Sequence, residues 1–387
     1  MPEQPTGLAD DRSLLETLIA IDTTSGQPCN PALDVICNRL EDAGCRIERV
    51  AGPADGRDNL VAVAGPVDAG GGLSLSGHID CVPAGQGWSS DPFTLTERDA
   101  CWFGRGSCDM KGFVALATNL LCEATDLCHP LAMILTSDEE LGSVGAASLL
   151  QSANQLPPLP TSCVVGEPTS LSVVRMHKGH LKFTIRVHGK TGHTGTPASG
   201  LSAIDGVRHV LAALDEARLQ LEAVRTATSS AFATVPSPVL SAVRLNAGHA
   251  WNVIPDEATV DCGLRVLPDQ DAGAVLAQVR QVVETAMGNW SGTWALEIFN
   301  DNPPMCTQRD ADIDRSCRAL VGQTDDIGVS YCSDGGHLGR LGLDCVLFGP
   351  GDIARAHRPD EYVPIQEMAA ARTHLKTLID AMCGGGS

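Results

Sequence analysis

Short apolar runs alternate with helical spacings along most of the chain. Residues 10–22 (DDRSLLETLIAID) and 31–43 (PALDVICNRLEDA) place apolar side chains three and four apart, with Asp, Ser or Pro at their starts, which predicts two amphipathic helices. Residues 45–50, 59–64 (NLVAVA) and 73–77 (LSLSG) are short runs bounded by turn residues and read as strands, the last two as neighbours. A helix over 111–124, a strand over 131–136 (LAMILT), a helix beginning near Glu140 or Gly142 and a strand over 162–166 continue the alternation. That order predicts an α/β domain with a mixed, mostly parallel sheet covered on both faces.

The period changes near residue 178. KGHLKFTIRVHG alternates apolar and polar positions, the pattern of a strand with one covered face. A helix over about 201–217, strands over 239–245 and 257–266, a helix over 271–287 and a strand over 293–298 give the order βαββαβ, a ferredoxin-like α+β unit. A helix over 311–321, a strand over 344–348 (DCVLF) and a helix over 366–382 then restore the first pattern. The expected division is a catalytic domain in two parts, 1–177 and 293–387, with 178–292 inserted as a smaller domain. The GGGS ending is expected to carry no regular structure.

Composition narrows the choice of partners. With 387 residues the chain is long enough for two domains. Its net charge of -20, from 27 basic and 47 acidic residues, repels phosphate backbones and anionic lipids, which argues against nucleic acid and membrane partners. No apolar run is long enough to span a bilayer, and no basic head precedes an apolar run at the N-terminus, so a cytoplasmic protein is expected. Fifteen cysteines, an odd number scattered through apolar sequence without any Cys-x-x-Cys pair, read as reduced thiols.

The chemistry lies just past the strand ends. His78 and Asp80 follow one strand, Glu139 and Glu140 another and Glu167 a third, while His357 comes after the strand over 344–348. Asp109 sits in the glycine-rich turn GRGSCDMKG (104–112) ahead of a helix. Ligands of open α/β sheets gather beyond the carboxyl ends of the strands, so these residues are expected to converge. Asp109 could cap its helix, and Glu139 and Glu140 could be first-turn carboxylates. Taken together, three carboxylates and two imidazoles in one crevice call for two divalent metals. Asp109 would bridge them, with His78 and Glu167 on one ion and Glu140 and His357 on the other. The nitrogen and oxygen donors suit zinc first, then cobalt or manganese. Glu139 would be the general base, and the carboxylate of Asp80 would accept the second imidazole N–H of His78.

Seven stretches then resemble the M20 family of metal-dependent aminoacylases and deacetylases, and within it the branch that acts on acetylornithine. They are SGHIDCVPAGQGWSSDPFTLTE (76–97), GRGSCDMKGF (104–113), TSDEELGSVGA (136–146), VVGEPTSLSVVRMHKGH (164–180), GKTGHTGTPASGLSAID (189–205), DCGLRVLPD (261–269) and GPGDIARAHRPDEYVP (349–364). The resemblance implies two zinc ions on the five ligands above, Glu139 as base, and an inserted lid domain that also pairs two copies into a homodimer. It further implies that His193 reaches the neighbouring subunit's active site and stabilises the oxyanion, with Asn252 in the same region. Arg265 would hold the substrate's α-carboxylate. The implied reaction is hydrolysis of N2-acetyl-L-ornithine to acetate and L-ornithine, a step of arginine biosynthesis. Succinyl-diaminopimelate, other N-acyl amino acids and dipeptides are alternative substrates, and a non-catalytic metal-binding protein on the same fold is the alternative of a different class. Two departures stand out: Ile79 replaces a usual Thr, and YCSDGG (331–336) replaces a segment that usually carries Thr-Glu-Ala. Asp334 in that segment is a candidate partner for a substrate's distal ammonium.

Overall fold

The computed structural model describes residues 7–385, and the chain divides into two compact units. The first comprises Met1–Arg175, Cys306–Ile327 and Ser333–Ser387; the second, Met176–Met305 and Gly328–Cys332, is an insertion in it. A division at 292 falls just short of the strand Thr293–Asn302, which pairs with Gly179–His188, so the second unit continues to Met305.

The first unit is built on a six-stranded sheet in the order Arg46–Val50, Asn59–Ala64, Leu131–Thr136, Leu73–His78, Ser162–Val165, Asp344–Leu347. Its central strands are buried along their whole length, which explains why they read as continuous apolar runs. The helices Leu8–Ala20, Gly112–Glu123 and Ile365–Cys383 contribute Leu14, Leu18, Val114, Leu116, Met368 and Leu375 to the same core.

The expectation of a mostly parallel sheet is corrected for the molecule as a whole, although three of the five strand pairs in the six-stranded sheet are parallel. Antiparallel pairing predominates over the molecule's sheets: the two outer strands 46–50 and 59–64 pair antiparallel with each other and with 131–136, and every neighbour pair in the second unit's large sheet is antiparallel. Among the named strands described in the first unit, parallel pairing joins 131–136, 73–78, 162–165 and 344–347, and an isolated parallel bridge links Thr24 to Cys81. Connection length is the cause. Residues 51–58 are too few for a crossover, which takes a dozen or more, so they can only turn the chain back. The strands 59–64 and 73–78 are not neighbours either, because 131–136 lies between them. The four parallel strands nonetheless deliver their carboxyl ends to one edge.

In the second unit, four strands in the order Val239–Ala247, Glu257–Val266, Gly179–His188, Thr293–Asn302 form a sheet. The alternation along 179–188 buries Leu181, Phe183, Ile185 and Val187, which share a core with Val207, Val210 and Leu214 of the helix Ala203–Glu222 and Val275, Leu276, Val279 and Val283 of Ala272–Met287. At the C-terminus, Gly384 of the GGGS ending bridges to Leu127, while its last two residues lie outside the described ones. No helix among the described residues is long and apolar enough to cross a membrane.

Candidate metal centre

Asp109 stands where two groups of metal-ligating side chains meet. One group is His78, Asp109 and Glu167; the other is Asp109, Glu140 and His357; within each, the ligand atoms lie within 4.8 Å of one another. His78 Nε2 is 3.0 Å from Asp109 Oδ1, and His357 Nε2 is 3.3 Å from Asp109 Oδ2 and 2.9 Å from Glu140 Oε2. The two oxygens of one carboxylate thus face different imidazoles, as a bridging ligand requires. His78, Asp109 and Glu167 are buried, whereas the His357 side chain is 49% exposed, so the cluster opens on the His357 side.

The electrostatics also favour cations. Burial, then the neighbouring Asp109, pushes the carboxyls of Glu140 and Glu167 above their ordinary range. Burial does the same to Glu139, reinforced by Glu167, Asp334 and Glu140. Hydrogen bonds to Asp109 and Glu140 raise His357 to about 10. Burial opposes ionisation of Asp109, but hydrogen bonds from His357 and His78 outweigh it and hold that carboxyl low. Oxygen and nitrogen donors in two groups that share one carboxylate fit a pair of divalent ions. Such ions would remove the repulsion among the acids and release the imidazoles from their protons.

Local structure fixes each ligand. His78 ends its strand, and its Nδ1 lies 2.9 Å from the backbone carbonyl of Asp80, against 3.6 Å from the Asp80 carboxylate. The expected carboxylate–imidazole bond is therefore replaced by a carbonyl. The Asp80 carboxylate accepts instead from the backbone N–H of Glu139 (3.0 Å) and of Glu140 (3.2 Å) and from the Ser25 hydroxyl (2.7 Å). It thereby fixes the tandem glutamates and steadies His78 through the backbone.

Two residues missed from the sequence hold the Asp109 turn. Glu361, 1% exposed, accepts from the backbone N–H of Gly106 (3.1 Å), Cys108 (2.9 Å) and Asp109 (3.0 Å). The buried guanidinium of Arg105 pairs with it. The only signal in the sequence was an acid four positions after His357, with nothing to distinguish Glu361 from Asp360. Lys111 secures the far end of the turn by donating to the carbonyls of Leu18 (2.9 Å) and Ile21 (3.0 Å). Replacing Glu361 by Ala strands the Arg105 charge and three N–H groups, so a loss of about 3–5 kcal/mol in urea unfolding is expected, together with weaker metal binding.

The sequence profile of peptidase family M20/M25/M40 matches residues 74–381, which takes in every proposed ligand. The chain belongs to this family. It is 34% identical over 381 residues to an acetylornithine deacetylase of Myxococcus xanthus, covering 97% of this chain and 98% of that protein. It is 33% identical over 389 residues to an acetylornithine deacetylase of Edwardsiella ictaluri (strain 93-146), covering 98% of each. Among solved structures, an M20 family metallo-carboxypeptidase from Sulfolobus solfataricus aligns with a TM-score of 0.77 at 16% identity, over 96% of this chain and 98% of that one. At that identity the likeness concerns the fold.

The remaining M20-type candidates fall in different places. His193 is exposed, in a two-residue strand whose partner residue is Val253, next to Asn252, and its Nδ1 accepts from the Gly195 N–H at 2.9 Å. The Asn252 carbonyl accepts from the Thr194 N–H at 3.2 Å, so the second unit brings these two residues together. Arg265, half-buried on the same unit, donates to the Ser330 carbonyl at 3.1 Å. Asp334 belongs to the first unit and is only 2% exposed. It accepts from the Thr136 hydroxyl.

Proposed function

We propose that this protein hydrolyses an Nα-acyl amino acid, with N2-acetyl-L-ornithine as the substrate and acetate and L-ornithine as the products, as a step of arginine biosynthesis. The two ligand groups sharing Asp109 carry the reading of a dinuclear hydrolase. The choice of substrate is supported by near full-length likeness to acetylornithine deacetylases at 31–34% identity.

His78 and Glu167 would hold one divalent ion, Glu140 and His357 the other, and Asp109 both, with zinc the first choice for these donors. When bound, such a pair polarises an acyl carbonyl and makes water acidic enough to attack near neutral pH. Glu139 takes the proton of the attacking water and later gives it to the leaving amine. Asp80 holds Glu139 and Glu140 by their backbone N–H groups. In this reading Arg265 of the second unit holds the α-carboxylate, and His193, with Asn252 beside it, donates to the oxyanion in the neighbouring subunit's site.

We further propose a homodimer formed through the second unit, where the edge strand Val239–Ala247 exposes Val243 (69%) and Leu245 (48%). The free cysteines fit a reducing cytoplasm.

The test is release of α-amine from N2-acetyl-L-ornithine by protein stripped with a chelator and reloaded with Zn²⁺. Turnover that disappears with the metal and returns on reloading is expected. If the reloaded protein hydrolyses a succinylated or another acetylated amino acid in preference, the ornithine assignment falls and the deacylase chemistry stands.

A further inference from the structure

Ser143 occupies the position just before the helix Val144–Gln151, where a serine hydroxyl ordinarily accepts an N–H of the first turn. It makes no such bond. Its Oγ donates instead to Glu139 Oε1 at 3.2 Å. The backbone is bent to this end. The N–H groups of Gly142 and Ser143 both donate to the Glu139 carbonyl at 2.7 Å, and Ser143 takes a left-handed φ of 56°, costly for a side chain other than glycine or asparagine. A capping bond and backbone ease are both given up, and the bond to Glu139 is what replaces them.

Burial raises the carboxyl of Asp334, and the Ser143 hydroxyl is among the groups that act against that rise. One of the Asp334 oxygens accepts from Thr136, while Oδ1, also buried, accepts no hydrogen bond. A buried carboxylate oxygen without a donor is rare and unfavourable. A hydroxyl has one proton and can serve only one of two acceptors at a time. Ser143 Oγ donates to Glu139, and Asp334 is the second acidic group on which this hydroxyl acts.

We propose that Ser143 and Asp334 are positioning residues for Glu139, an inference that rests on Glu139 being the general base. While Glu139 is a carboxylate, the Ser143 hydroxyl holds it in place to receive the proton of the attacking water. Asp334, the other acidic neighbour of this hydroxyl, sets the direction in which the Ser143 O–H points. No bond at Ser143 or Asp334 breaks, and the transferred proton travels only from water to Glu139 to the amine.

The decisive variant is Ser143→Gly, because glycine adopts the left-handed turn freely and loses only the hydroxyl; Ser143→Ala loses the hydroxyl and keeps the strain. Both are expected to lower kcat by roughly tenfold to a hundredfold, the effect of one hydrogen bond to a charged group. KM, metal content and melting temperature should stay near the parent's. Asp334→Asn is expected to lower kcat with KM unchanged as well, and parental kcat in that variant would contradict the part given to Asp334. Full activity in Ser143→Gly with loss in Ser143→Ala would overturn the proposal in favour of a purely backbone role. A crystal structure of Ser143→Gly decides the matter without activity, even if the parent protein hydrolyses no N-acyl amino acid and the proposed function itself fails. The Glu139 carboxylate is expected to leave its place beside residue 143, and a carboxylate held where it stands in the parent would overturn the proposal.

Discussion

Replacing Glu139 by Gln is expected to lower kcat about a thousandfold, in the middle of the range that a positioned general base contributes. The amide keeps the size of the carboxyl and can still accept from Ser143, but it cannot take a proton from water. Glu139 belongs to neither group of clustered ligands, so the variant should bind metal as the parent does, and its KM should change little. Steady-state kinetics beside elemental analysis of the same preparation checks both halves. A variant that had lost its metal would show that Glu139 is a ligand and not a base, and one with parental kcat would place the base elsewhere.

The second large effect is at Asp109. Asparagine there retains one oxygen and replaces the other by an NH₂ group, which offers no lone pair to a metal. His78 faces one oxygen of Asp109 and His357 the other, so whichever way the amide turns, one of the two ions loses its shared ligand. Asp109→Asn is expected to hold one ion at most with parental affinity and to lose activity by more than about a hundredfold, the scale on which oriented electrostatic stabilisation acts. Excess Zn²⁺ should not restore it. Because Glu361 and Arg105 hold the turn through its backbone, the fold is expected to survive, and a parental circular dichroism spectrum checks that. The outcome differs in kind from that of Glu361→Ala, where the fold itself is weakened.

Much of this site was legible because its residues follow buried strands directly. Apolar runs such as LAMILT (131–136) give the strand, and the strand gives the edge at which His78, Glu139, Glu140 and Glu167 must meet. Strand direction was less legible. The run 59–64 is apolar throughout and carries no mark of orientation, although the short connection from 50 to 59 did imply a reversal. The role of Asp80 was half legible. The spacing His-x-Asp brings the residues together, but whether carbonyl or carboxylate meets the imidazole depends on a side-chain torsion that spacing does not contain.

Asp334 shows a different limit. It precedes the helix Gly335–Arg340, which opens with two glycines and has no apolar period long enough to read. The sequence therefore offered a polar loop residue where the structure has a buried one. Glu361 and Ser143 act through contacts that depend on how loops fold against the site, at 252 positions from Asp109 in the first case and four from Glu139 in the second. Neither distance along the chain signals function.

A dinuclear site here requires that one carboxylate, Asp109, hold two metal ions. Anomalous diffraction at the zinc absorption edge, from crystals of the zinc-loaded protein, tests it most directly. Two peaks are expected, one on either side of Asp109, the first contacting His78 and Glu167 and the second Glu140 and His357. A single peak under saturating zinc, or a pair of which one does not touch Asp109, would contradict the account.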